Sequence, residues 1–591
     1  MLRSKWQARL PQGPIGVLAQ RLLQTVPDED LEQLTLDGLL GRTQWVYEHL
    51  PSSDAQIQAL NPEVERDGWG SAHTVLAVCV TDQPFLVDSL RLEIRRFGHA
   101  IHLTQNIVLS AQDPLNPHAA ARAVVLIELD RIQDDTGLKA LTSAIQQVLS
   151  LLKASVEDYP AMDTQARDLS TDLSPESAEF MQWLTQDHFT FLGYANNQGD
   201  RLGICRLKDD TVSFCDAPEQ TLWFDKAPVR SSIHRGAYMD RIVLTTGQGD
   251  DACEHHFLGL YTSRVYQEFA IDIPVVREKI QSVLDASEFT PGGHNFKQLN
   301  QILQVFPRDE LLQIEAEELG RQALSVLRLQ ERHRSRLTLR QDRVGNFATV
   351  ILYVPRDRYD TELRCRIQEM LHLELDAADI EFNTTFSESV HTRVQFIVRL
   401  TRLKPEVTEA YLQDKAEQLI LSWQEGLAQA LSDEHGEGEG LALLKAFGQY
   451  LPAGYREDVP PHRAVLDVHH LSLLSETSPL SLSLYQDLST QTLHLKLYHL
   501  ARPLSLSDAL PIMEHLGVRV LADQTYGARS RAWYIHDFTL SLNDQQAPLS
   551  QWREHWQDAF AACWYGQTES DRFHGLVLSA GLGWRDIAML R

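Results

Sequence analysis

Residue types and spacings that could do chemistry occur at a few points in this chain, and each carries a competing structural reading. "TTGQGDDAC" offers Gly247 and Gly249, and "HGEGEG" offers Gly436, Gly438 and Gly440. A dinucleotide cradle needs G-x-G-x-x-G between a strand and a helix, so that backbone N–H groups can approach a pyrophosphate. The first cluster lacks the third glycine and places two acids where the pyrophosphate would lie. The second is acidic and leads into a polar turn, so both are read as loops. "CEHH" brings Cys253, His255 and His256 together, but adjacent strand residues point to opposite faces and cannot easily share one ion. "DVHHL", with His469 and His470, is read as a strand and fails for the same reason. "QDHFTFLGY" supplies Asp187, His188 and Tyr194 as acid–base parts; the alternative is a core strand in which Phe189, Phe191 and Tyr194 pack under a sheet. In "PRDRY", Arg356 or Arg358 could grip a carboxylate, or pair with Asp357, Asp360 or Glu362. No catalytic, cofactor-binding or metal-binding set assembles from these residues.

The elements that would position a site are clearer. "HTVLAVCVT" reads as a buried strand. After Asp82-Gln83-Pro84, the residues Leu86, Leu90, Ile94 and Phe97 recur on one helical face. Asp82 is expected to cap that helix, Pro84 to occupy its first turn and Gly98 to end it. "AIHLTQNIVLS" and "ARAVVLIELDRI" follow as strands, and "LKALTSAIQQVLSLLKASVEDY" as a second helix. The same strand–helix–strand–strand–helix order returns from Phe347, with Tyr359, Leu363, Ile367 and Met370 expected on the first helix and "TEAYLQDKAEQLILSWQEGLAQAL" as one long second helix. It returns again from Leu493, with Leu506, Leu510, Met513 and Leu516 on a helix that stops at Gly517. Each copy is most of a β-α-β-β-α-β ferredoxin-like unit.

Between the first two copies, residues 175–330 read as a mixed, mostly antiparallel α+β block with strands at "RLGICRLK", "SFCD", "SSIHRGAYMDRIVLTT" and "EHHFLGLYTS", closed by helices from Pro274. "SDEHGEGEGL" is expected as an acidic, Gly-rich linker or loop, and "RAVLDVHHLSLL" and "LSLSLYQ" as two further strands. Residues 1–60 read as helical.

With 591 residues, roughly three to five domains are expected. The formal net charge of −27 repels phosphate backbones and anionic lipid, which argues against nucleic-acid and membrane-surface binding. Cys79, Cys205, Cys215, Cys253, Cys365 and Cys563 are scattered without a CxxC pair, the usage of a reducing compartment. Neither a signal peptide nor a membrane span is expected, and the cytoplasm is the expected location.

Taken in order, "DQPFLVDSLRLEIRR", "DHFTFLGY", "HHFLGLYTS", "IPVVREKI", "FPRDELLQI", "YVPRDRYDTELRCRIQEML" and "GLVLSAGLGWRDIAMLR" resemble the large bacterial NAD-dependent glutamate dehydrogenases. The resemblance implies the non-catalytic N-terminal segment of that family: an α+β multidomain chain of three ferredoxin-like, ACT-like βαββα units, a PAS-like domain and helical connectors. ACT-like units are expected at 30–160, 335–430 and 490–566, the PAS-like domain at 175–285, a helical motif at 286–330, a linker with extra strands at 431–489, and the start of a truncated helical motif at 567–591. The full family polypeptide oxidises L-glutamate with NAD and water to 2-oxoglutarate, ammonium and NADH, and assembles as a homo-oligomer. The implied partner is therefore the catalytic dehydrogenase portion of the same polypeptide. This chain is expected to bind no cofactor and to be inactive alone.

Regulatory ACT domains bind amino acids at the loop between first strand and first helix, where a glycine after proline lets a ligand approach. Here Pro84 is followed by Phe85, Pro355 by Arg356 and Pro503 by Leu504. The effector-site candidates are Asp82, Gln83, Phe85, Arg356 and Arg358. The competing expectation is that Phe85 fills the space a ligand would use and serves packing.

Overall fold

Each of the three repeats closes with a strand that comes before it in sequence rather than after it. The computed structural model describes the chain apart from residues 1, 33–34, 53, 209–211, 213–220, 248–251, 330–331, 387–388, 403–405, 488–491, 501–503, 529–531 and 543–547. In the first repeat β1 (Gln56–Leu60), β2 (Thr74–Thr81), β3 (Ile101–Leu109) and β4 (Arg122–Leu129) form an antiparallel sheet in the order β1-β2-β4-β3. The five-stranded block follows with β5 (Phe189–Asn196), β6 (Arg201–Gly203), β7 (Leu222–Arg230), β8 (Tyr238–Thr246) and β9 (Cys253–Tyr261), ordered β6-β5-β9-β8-β7. The second repeat is β10 (Arg336–Gln341), β11 (Phe347–Pro355), β12 (Ala377–Thr385) and β13 (His391–Leu400), ordered β10-β11-β13-β12. The third is β14 (Leu480–Gln486), β15 (Leu493–Leu500), β16 (Val518–Ala528) and β17 (Trp533–Leu542), ordered β14-β15-β17-β16.

The expected βαββα unit is therefore corrected to ββαββα. The edge place that a ferredoxin-like fold gives to its last strand is taken by a leading one. β1 and β10 escaped the sequence reading because they are short and lie on edges, where alternation is weakest. In all three repeats a side chain of the second helix bonds a backbone N–H of that leading strand. Thr142 Oγ1 accepts from Ala59 N at 3.3 Å, Gln413 Oε1 from Leu337 N at 2.5 Å and Gln557 Oε1 from Leu484 N at 2.9 Å. One edge of each sheet is thereby occupied. At the opposite edge β3, β12 and β16 each begin with a register shift, a local twist that disfavours edge-to-edge pairing.

The chain forms two units, Met1–Gln413 and Asp414–Arg591. In the first, both faces of the first sheet are covered. The N-terminal helices Pro14–Gln24 and Leu36–His49 bring Leu18, Leu22, Leu39 and Val46 onto one face against Ala77, Cys79, Val124 and Leu126. The other face shares a core with the five-stranded block through Leu90, Ile94, Leu152, Leu192 and Leu258. Double coverage explains why β2 and β4 are apolar almost throughout. The far side of the five-stranded sheet packs on the helices Val276–Ala286, His294–Val305 and Ala316–Leu329, joined by Ile351 and Tyr353 of the second repeat.

Several local expectations change. The first repeat's first helix spans Leu86–Arg96, and its N-cap is Phe85 without a side-chain cap; Asp82 instead donates its backbone N–H to Ala121 O. The second helix runs Asp135–Leu169, straight through Pro160, because that residue lies on an exposed face and one lost backbone bond does not outweigh the packing of Met162 and Ala166 beyond it. The long helix expected after the second repeat is broken into Glu409–Ile420 and Trp423–His435, since Ser422 and Glu425 form a capping box. "SDEHGEGEGL" is not a linker: the chain turns at Gly436 (φ 84°) and re-enters a helix at Glu437–Ala446. "RAVLDVHHLSLL" is the helix Pro461–Ser472, whose Ala464, Val468 and Leu471 lie at helical spacing and are buried. The expected strand "SFCD" lies outside the described residues.

Candidate functional site

The first repeat's turn is shaped by one residue in an unfavourable conformation. Gln83-Pro84-Phe85-Leu86 turns with Phe85 at φ 63° and ψ 8°, the left-handed region that glycine occupies freely. Holding a bulky residue there costs about 1–2 kcal/mol. What offsets it lies in the five-stranded block. The Phe85 ring packs on His234 with centroids 4.6 Å apart. Ser89 Oγ donates to Phe85 O at 2.7 Å and accepts from His234 N at 3.1 Å, so one hydroxyl staples the turn to the loop before β8. Gly236 of that loop lies so close that an added Cβ would meet Leu92 Cδ1 at 2.8 Å. The sequence places a phenylalanine after proline; only the fold shows that the ring leaves its own domain.

Beside the turn remains a cavity of about 190 Å³. Asp82, Gln83 and Phe85 line it, together with Asp88 and Asn106, which sequence reasoning missed. Asn106 is the outward residue of β3, reachable only once the strand order is known. The helix Leu86–Arg96 begins here with no side-chain cap, so its first N–H groups lack an intrahelical acceptor. Two carboxylates and an uncapped helix start suit a small ligand bearing both an ammonium and a carboxylate.

Arg356 and Arg358 are not brought to this cavity. They stand on the second repeat's turn, a short 3₁₀ segment, where Arg356 is exposed and its N–H donates to Val390 O at 2.9 Å. Asp360 is spent on capping the helix Thr361–Glu374, accepting from Leu363 N at 2.7 Å, and Asp357 lies 3.8 Å from His333. In the third repeat Pro503 lies outside the described residues, and Leu504 is buried with its N–H 3.3 Å from His536 Nε2.

The remaining candidates are built into cores. His255 and His256 do face opposite ways on β9. His255 bonds Tyr194 OH at 2.8 Å and Thr246 Oγ1 at 3.0 Å, while His256 lies 3.0 Å from Glu254, and burial pulls its imidazole down to about 4. His188 stacks on Trp183 and bonds Glu268 at 2.6 Å. Phe189, Phe191 and Tyr194 are buried as the core reading expects. His469 and His470 sit on a helix, and His470 stacks on Tyr498 and bonds Ser481. Among the described residues no group of three or more His, Cys, Asp or Glu is placed to hold a metal ion. Residues 248–251 of the "TTGQGDDAC" segment lie outside the described residues.

Two buried ionic clusters had no clear sequence signal. Lys226 Nζ lies 2.7 Å from Asp240 and 3.1 Å from Asp309, joining β7 and β8 to the helix Arg308–Gln313; burial pushes the Asp240 carboxyl up to about 6. In the second unit Asp467 accepts from Tyr455, from Lys496 at 2.7 Å and from Tyr498 at 2.6 Å. The second cluster sets one ammonium against one carboxylate, while the first sets one ammonium between two carboxylates, with Tyr266 OH also donating to Asp309 at 2.7 Å; these partners lower the cost of burial, and each cluster ties a helix to a sheet.

Comparison with known proteins follows this architecture. Family models described as the ACT1, ACT2 and ACT3 domains of glutamate dehydrogenase match residues 18–145, 336–424 and 479–551. Those for its helical motifs 1 and 2 match 273–332 and 430–474. NAD-specific glutamate dehydrogenases from Halomonas elongata and Pseudomonas aeruginosa are 36% and 37% identical over 100% and 98% of this chain. A third, from Mycobacterium tuberculosis, is 26% identical over 85% of it. The aligned regions span 41%, 40% and 32% of those relatives' own lengths. No helix among the described residues is long and apolar enough to cross a membrane.

Proposed function

We propose that this chain, which belongs to the NAD-specific glutamate dehydrogenase family by its three ACT domains and two helical motifs, is a regulatory and scaffolding region rather than the seat of the chemistry. In this reading glutamate oxidation with NAD belongs to a catalytic portion of the same polypeptide, and these domains position that portion within a cytoplasmic homo-oligomer. The observation that carries the reading is the use of the first ACT turn. Where a free sensor would leave the turn open, Phe85 and Ser89 bind it to the five-stranded block. That block's antiparallel order, second-first-fifth-fourth-third in its own sequence, supports a PAS-like assignment.

The test is enzymatic and calorimetric. The purified chain, supplied with L-glutamate and NAD, is expected to form no NADH; a glutamate-dependent rate would overturn the reading. A thermal-shift screen with amino acids, nucleotides and tricarboxylic acids is expected to show no response if the role is scaffolding alone.

A second reading is favoured by the 190 Å³ turn cavity: an amino-acid effector held with its ammonium between Asp82 and Asp88 and its carboxylate at the uncapped helix start. Gln83 and Asn106 would complete the contacts, and exposed Arg356, with Arg358, offers a separate carboxylate contact on the second turn. Titration with an amino-acid panel decides it. Saturable binding that Asp88→Asn weakens supports an effector site, and absence of binding leaves scaffolding.

A further inference from the structure

Phe85 is also a wall of a second cavity, of about 400 Å³, between the first ACT domain and the five-stranded block. We propose that this seam cavity binds a neutral, ring-bearing small molecule carrying a hydrogen-bond donor, of the indole or phenol type. The site is separate from the turn cavity and does not depend on the amino-acid reading.

Most of its wall comes from three segments, the Pro84-Phe85 turn, the middle of the helix Asp135–Leu169 and residues 187–192 at the start of β5, with Ile233 and Thr262 added from the loop before β8 and the end of β9. Leu152, Val156, Tyr159, Phe191 and Ile233 make it apolar, and Tyr159 stands edge-on to Phe191 with centroids 6.2 Å apart. Aromatic walls in that arrangement favour an inserted flat ring, and the volume lies in the usual small-molecule range of about 300–1,000 Å³.

The polar groups define the charge. Ser155 Oγ bonds Leu192 O at 2.8 Å, and Thr262 Oγ1 donates to Asp187 O at 2.6 Å. Both of these hydroxyls are engaged within the protein, and the other two on the wall, of Tyr159 and Thr190, are neutral. The charged wall residue is Asp187, whose side chain is 85% exposed and lies 3.7 Å from Arg264. The wall holds no cationic side chain, so the carboxylate of an ionised amino acid would be buried here without a counter-charge, at a cost of several kcal/mol. Acceptors are available instead. Pro160 has no N–H, so the carbonyl of wall residue Val156 lacks its helical donor. A ring N–H or O–H meets that carbonyl or the Asp187 carboxylate. With Phe85 shared by both cavities, a bound ring would brace the turn as well.

The probe is indole, titrated calorimetrically into the full chain. Saturable binding at about one site per chain is expected. Val156→Phe, which pushes a ring into the cavity from the helix wall, is expected to weaken it about ten-fold or more, while Asp88→Asn, which lines only the turn cavity, leaves it unchanged. No saturable binding to the unaltered protein, or equal binding by Val156→Phe, would overturn the assignment. Should Val156→Phe fail to fold by circular dichroism, Tyr159→Trp narrows the same wall from its exposed side, and undiminished binding there overturns it equally. Tighter binding of an indole carboxylate than of indole would refute the neutral-ligand assignment.

Discussion

In the first ACT domain Pro84 and Phe85 make a tight turn whose ring is inserted against His234. In the second, Pro355 leads into a 3₁₀ turn on which Arg356 is exposed and Arg358 partly buried. The sheets behind them have equivalent order, and both leading strands receive the same kind of helix-to-strand hydrogen bond. What differs is the surroundings. The first turn faces the five-stranded block and carries an apolar side chain in a strained conformation; the second carries charge, and its following helix is capped locally by Asp360. One frame thus serves as an interdomain joint in one copy and as a conventionally capped turn in another. The choice is made by single residues at the turn, not by the sheet.

The sharpest way to break this contrast is Phe85→Ala. Losing a half-buried ring at the joint is expected to destabilise the first unit by about 2–3 kcal/mol, somewhat below the range for fully buried phenylalanines. The midpoint of urea unfolding, followed by near-ultraviolet circular dichroism, measures it. A change as small as that of a surface substitution would mean that the ring is not a joint. Phe85→Gly separates the two opposing terms: it removes the ring but relieves the left-handed strain. It should therefore be about 1 kcal/mol more stable than Phe85→Ala. Next in size is Ser89→Ala, which leaves His234 N and Phe85 O each short of one partner in a buried setting. About 1–2 kcal/mol is expected, with faster amide exchange in the loop before β8 as the local readout.

The parts of this arrangement legible in the sequence were those with strong periodicity. The buried strands β2, β4, β11 and β13 and the helices with Leu90, Ile367 and Met513 at their centres stand out because coverage demands apolar residues at fixed spacing. The leading edge strands β1 and β10 did not, because what fixes them is a partner strand and one side chain from a distant helix. "RAVLDVHHLSLL" read as a strand because its histidines and leucines satisfy either period over a few residues; its burial at Ala464, Val468 and Leu471 settles the helical one. At the turn, the sequence showed Asp82, Gln83 and Phe85 but not Asp88, Asn106 or His234, which only the fold brings there. Nor does any local rule announce a phenylalanine at positive φ. Val275, likewise after a proline, also takes a positive φ of 69°, but with ψ −43° where Phe85 has 8°.

On the second turn the expected effects are smaller, and their order tests the contrast from the other side. Asp360→Ala removes the cap on Thr361–Glu374 and should cost about 1 kcal/mol, as side-chain caps do elsewhere. Arg356→Ala should change stability by no more than about 0.5 kcal/mol, because its side chain is exposed and only its backbone N–H holds the turn to Val390 O, a bond alanine keeps. A near-zero stability change makes Arg356 a clean probe of ligand contact. If an anionic effector binds the second turn, Arg356→Ala should weaken that binding without moving the unfolding midpoint. A stability loss comparable to that of Phe85→Ala would show instead that the second turn is also a joint, and the division of labour between the two ACT domains would collapse.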